Sequence, residues 1–163
     1  MKTKLNTLRS QIRQAGLSLL EVLLSLSIIA IILVMATRFF FVASDNDKVN
    51  TAVSQVAGLI AAAHNWKGPS TSYTDLSLDQ LASAGQLSNF PGYNGDNTKP
   101  DLNTMWGTSI TIAANTADTA LFTITMTLPD STKCNSLLRA YPSDASANVT
   151  TTCAGDTFSY AAP

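Results

Sequence analysis

One histidine, two cysteines and only 13% charged residues occur in 163 residues, and each scarcity removes a class of function. A single imidazole, His64, lies near the apolar stripe of a helical segment, where a packed or rim position suits it better than a general base, and no Ser/His/Asp set forms around it. Cys134 and Cys153 are too far apart in sequence for metal-ligand spacing. No glycine-rich phosphate loop and no internal repeat is present. The reading therefore assigns no catalysis, no metal and no cofactor. Proline is absent before Pro69, and glycine is absent between Gly16 and Gly58. Nothing in the first third of the chain breaks a helix.

That third contains the strongest feature. From Leu17 to Ala36 the chain is almost wholly apolar, and as a helix this run spans roughly 30 Å, the thickness of a bilayer core. Inside it sits one carboxylate, Glu21. An acid there costs on the order of 2.5–3.5 kcal/mol on insertion scales, so it calls for a functional explanation. Charge is unevenly placed: residues 1–16 carry Lys2, Lys4, Arg9 and Arg13 with no acid, while the remainder is net −5. A basic leader before an apolar segment keeps the N-terminus cytoplasmic and sends the rest outward. The acidic exported part has no basic patch, which argues against direct nucleic-acid binding.

The apolar run continues through Phe39-Phe40-Phe41 into an amphipathic pattern. Val49, Val53, Val56, Ile60 and Ala63 form one stripe at helical spacing, with Asp45, Asp47, Lys48, Asn50 and Gln55 opposite. The first strong stop is Gly68-Pro69, so one helix is expected from Leu17 to Lys67. A short helix follows within 74–84, and residues 88–104 read as irregular loop. Alternation then signals strands: Ile110 and Ile112 among threonines, and Phe122, Ile124, Met126 and Leu128 among Thr123, Thr125 and Thr127. Residues 115–119 suit a hairpin connection. Asp130 and Ser131 offer an N-cap for a helix through Leu137 and Leu138. Residues 149–153 and 157–160 complete the strand candidates, and Ser143–Thr152 reads as surface loop and edge strand. The fold class is α+β: a long N-terminal helix packed against a small, mostly antiparallel sheet that covers its stripe. In an exported chain Cys134 and Cys153 are expected to pair, the alternative being two buried thiols. The carboxylates Asp45, Asp47, Asp96 and Asp101 read as solvated charge.

A basic leader, a glycine, and an apolar helix with Glu at its fifth position resemble the class III signal of type IV prepilins. The resemblance implies cleavage by a prepilin peptidase between Gly16 and Leu17 and N-methylation of Leu17. It implies a leader at 1–16, a transmembrane and filament-core helix at 17–41, and a globular pilin domain at 42–163. The sixteen-residue leader, the leucine at the mature start and Arg38, where the type IVa branch has a kinking proline, are similar to the type IVb branch. Asn103-Thr104-Met105-Trp106-Gly107 and the segment from Phe122 to Leu137 look like those of PilS-like major pilins. In that family the C-terminal cysteines enclose an exposed D-region, here 134–153, containing Tyr141 and Asp144. The implied function is a major pilus subunit for adhesion, aggregation or conjugative DNA transfer. The implied partners are copies of itself in a helical filament, the peptidase, an inner-membrane assembly platform with its ATPase, and an outer-membrane secretin. The prepilin would sit in the inner membrane, the filament on the cell surface.

Cleavage also supplies a partner for Glu21. The new α-amino group at Leu17 stays basic when methylated, and in a helix bundle it can meet the Glu21 carboxylate and fix axial register. A minor pilin, a type II secretion pseudopilin and an anchored periplasmic binding module are the alternatives. An ordinary secretory signal ending at Val34-Met35-Ala36, or a plain anchor, leaves Gly16 and Glu21 unexplained.

Overall fold

The structure, a computed structural model, describes residues 19–163. The chain divides into two compact units, one ending at Val42 and one running from Ala43 to Pro163. Helix α1, Leu19–Lys67, enters both. It ends at Gly68, whose φ of +52° continues no right-handed helix and whose amide donates to the His64 carbonyl.

The second unit is α+β. After α1 come α2 (Leu78–Ser83), β1 (Ile110–Ala114), β2 (Phe122–Thr127), α3 (Ser131–Ala140), β3 (Thr150–Ala154) and β4 (Thr157–Ala162). Each short helix has a side-chain cap: Ser77 accepts from the Gln80 amide and Asp130 from the Lys133 amide. The four strands form one antiparallel sheet in the order β1-β2-β4-β3. Register follows alternation. Ile112 lies opposite Ile124, Ile124 opposite Tyr160, and Met126 opposite Phe158, all on the inner face. The intervening threonines face outward.

The core joins Val56, Leu59 and Ala63 of α1 to Phe122, Ile124, Met126 and Phe158 of the sheet, with Leu81 and Leu137 from α2 and α3. The buried arc of α1 differs from the stripe read in the sequence. Ala52, Gln55, Val56, Leu59, Ala62 and Ala63 are buried, whereas Val49, Val53 and Ile60 are only half-buried. Gln55, placed on the polar side by periodicity, is fully buried. The cause is a second partner for the helix. Gln55 Nε2 donates to the carbonyls of Pro91 and Asn103 at 2.7 and 2.9 Å, and the Phe90 ring lies against Gly58. The helix is thus covered by the sheet and also by the 90–103 loop, and its buried arc is wider and rotated.

Asp45 is likewise not simply solvated: its carboxylate accepts from Lys133 Nζ at 2.9 Å. The Asp45 side chain is half exposed, so this pair contributes little stability.

Candidate assembly helix and disulfide-bounded region

Between Leu19 and Val42 the helix exposes nearly every side chain. Its most apolar eighteen-residue window has a mean hydropathy of 2.8 and no buried share. It is long and apolar enough to cross a membrane. Its hydroxyls are satisfied locally: Ser25 donates to the Val22 carbonyl, Ser27 to Leu24 and Thr37 to Val34. Such bonds let a polar side chain lie in hydrocarbon without an orphaned donor. Beyond its first turn, the helical backbone pairs its own amides and carbonyls. Apart from its charged side chains, the surface asks only for apolar cover, from lipid or from other helices.

Two side chains on this segment are charged, Glu21 and Arg38. Glu21 lies near the start of the described part of α1 and is exposed. Gly16 and Leu17, the two residues of the expected cleavage, lie outside the described residues.

The second region is bounded by the disulfide. Cys134 on α3 bonds to Cys153 on β3, with their Cα atoms 6.0 Å apart. Closing this loop contributes roughly 3 kcal/mol in the chain-entropy picture. The enclosed segment is exposed in its middle but held at both ends. At its start Tyr141 is half-buried, its hydroxyl donating to the Val53 carbonyl of α1 at 2.8 Å. Burial among neighbours raises its pKa above the ordinary tyrosine value, with Tyr160 adding to the effect. Tyr141 is therefore an inward anchor rather than part of the exposed surface that the resemblance implied for 134–153.

Asp144 does lie at the surface. Its Oδ1 accepts from the hydroxyl and amide of Ser146, which lowers its pKa. Asp144 also pairs with Val149 through backbone bonds, closing the turn. Beside it, the Ser143 hydroxyl accepts the Thr151 amide and donates to the Thr151 carbonyl. Those two groups point off the free edge of β3, so Ser143 blunts an edge that could otherwise recruit another strand.

Trp106 packs against the core, and Gly107 adopts a φ of +76° that turns the chain toward β1. His64 is a rim residue: its Nδ1 lies 3.1 Å from the Tyr73 hydroxyl and its ring meets Phe122 edge-on. Among the described residues no group of three His, Cys, Asp or Glu side chains is placed to hold a metal ion. Sequence reasoning missed Gln55 and Ser143. Gln55 was findable, since it falls between Ala52 and Leu59 at helical spacing, but Ser143 carried no local signal.

Two family models match the chain. The prokaryotic N-terminal methylation motif matches residues 12–37, the stretch that holds Gly16, Leu17 and Glu21. The bundlin model matches residues 41–162, almost the whole second unit. No curated protein and no solved structure matches the chain. The apolar helix, the disulfide-closed α+β unit and these two adjoining matches agree, and the chain belongs to the bundlin family of type IV pilins.

Proposed function

We propose that this chain is the major structural subunit of a type IVb pilus, with PilS-like features. The prepilin is held in the inner membrane by residues 17–41, and a prepilin peptidase cuts between Gly16 and Leu17 and methylates the new terminus. The 17–41 helices then leave the lipid and pack as the filament core, with the 42–163 units outside. The observation that carries this reading is the exposed apolar surface of Leu19–Val42 on a helix that continues into the pilin unit. Buried in lipid before assembly and among sister helices afterwards, that surface is never left to water.

Glu21 is the assembly residue of this reading, paired with the Leu17 amine. The work of extraction comes from an inner-membrane platform and its ATPase, and the filament leaves through an outer-membrane secretin. The Cys134–Cys153 loop supports a pilin rather than a type II secretion pseudopilin, which commonly lacks it. Adhesion, aggregation and conjugative DNA transfer are the roles such a filament serves. Pilins are structural, and the reading gives the chain no catalysis. Electron microscopy and gel analysis of filaments sheared from cells test it. Filaments whose dominant band is this chain support a major pilin. A trace amount in filaments built of another chain makes it minor.

A further inference from the structure

Between Leu19 and Ser44 the only ionisable side chains are Glu21 and Arg38, one of each sign, in a helix otherwise made of apolar and small hydroxyl residues. Seventeen residues of helix separate them by about 25 Å along the axis, and about 100° per residue leaves them about 100° apart around it. They cannot pair within one copy. In lipid each lies toward one end of the apolar run, where long side chains reach the headgroups. Once helices pack against helices that escape is gone.

We propose that Arg38 of one copy pairs with Glu21 of a neighbouring parallel copy shifted along the axis by about 25 Å, the length of seventeen helical residues. The occupant of the Arg38 face is thus a second copy of this chain, and charge complementarity identifies it. The inference rests on the filament reading above and adds a second register contact to it.

The Arg38 face is suited to a helix. Ala30, Ile31, Val34 and Met35 share its stripe, and together with Arg38 they line a shallow apolar depression. A carboxylate has two oxygens, so Glu21 can accept from Arg38 while also meeting the Leu17 amine. Of those two cations Arg38 has the stricter need. A secondary amine can lose its proton when desolvated, whereas a guanidinium stays charged.

The placement also explains why such a contact propagates. Copies inserted with the same end in the cytoplasm are parallel. A parallel pair that joins Glu21 to Arg38 leaves a free Arg38 at one end and a free Glu21 at the other. The faces used differ, so the contact is head-to-tail and does not close on itself. Each added copy satisfies one stranded charge and presents the next.

The experiment measures this chain in sheared filaments and in membranes from cells carrying wild type, Arg38→Gln, Arg38→Lys, Glu21→Gln or the Glu21→Gln/Arg38→Gln double variant. The pairing predicts that Arg38→Gln lowers filament content roughly tenfold or more at unchanged membrane content, because Glu21 loses its stricter partner. Arg38→Lys retains most assembly. The double variant assembles better than Glu21→Gln alone, because no guanidinium is left stranded. Normal filaments from Arg38→Gln, or a double variant no better than Glu21→Gln, overturn the pairing while leaving the pilin reading intact. Absence of the wild-type chain from filaments removes both.

Discussion

The Tyr141 hydroxyl donates to the carbonyl of Val53, 88 residues earlier in the chain, at 2.8 Å. This bond ties the end of α3, and with it the start of the disulfide-bounded segment, to the middle of α1. The ring adds an edge-to-face contact with Tyr160 at 5.6 Å. Tyr141→Phe keeps the ring and loses the hydrogen bond. The expected cost is about 1 kcal/mol, a fall of roughly 3–5 °C in Tm for a unit of this size. Thermal unfolding of the detergent-solubilised chain with its disulfide intact measures it.

Gly92 and Gly95 sit in the same loop with similar positive φ values, +84° and +77°, yet their surroundings differ. A Cβ on Gly92 would collide with the Asn103 carbonyl and crowd Gln55 Nε2, whereas a Cβ on Gly95 meets nothing within 4 Å. Gly95→Ala is expected to cost about 1 kcal/mol from backbone strain alone. Gly92→Ala adds the collision and breaks the tie between the loop and α1, costing roughly 2–4 kcal/mol. Equal effects of the two substitutions on Tm would contradict this account of the loop.

Acid acts on Asp130, whose carboxylate caps α3. The hydrogen bond from the Lys133 amide is the main cause of its lowered pKa, and Asp96 and Asp144 are lowered by bonds from Thr98 and Ser146. A carboxyl with a lowered native pKa stabilises the fold above its unfolded value. That contribution is lost as pH falls through the native value. Stability is therefore expected to decline as pH drops toward and below the ordinary carboxylate value of about 3.9. Asp130→Asn keeps a capping oxygen but no longer titrates at that site. Its Tm should fall less steeply with acid than the wild-type Tm does.

Glu21→Ala removes the acid from the apolar run and leaves the second unit untouched. Membrane insertion, leader cleavage and the Cys134–Cys153 bond are expected to persist, with filaments abolished or severely reduced. Sheared-filament yield against membrane content is the readout, and abundant normal filaments would contradict the assembly role.

Much of the fold was legible because its signals are local. The Gly68-Pro69 stop marked the C-terminal limit of α1, and strict alternation in Phe122–Leu128 marked β2 and its buried face. Asp130 announced α3 as a cap does. What failed was tied to distance along the chain. Gln55 looked solvent-facing by periodicity, yet its partners are the Pro91 and Asn103 carbonyls, 36 and 48 residues away. Asp45 finds Lys133 across 88 residues, the same separation that joins Tyr141 to Val53. A helix with two covering partners buries an arc that no single period describes. The expected disulfide formed because the antiparallel β3–β4 pair brings the edge strand alongside α3, an arrangement that cysteine count alone did not contain.

The central claim is that this chain is processed and polymerised as a pilin, and the mass of the subunit in sheared filaments tests it most directly. The account predicts a subunit whose first residue is methylated Leu17 and which carries the Cys134–Cys153 disulfide. A subunit that starts at Met1 or at Thr37, or that lacks the methyl group, would contradict it.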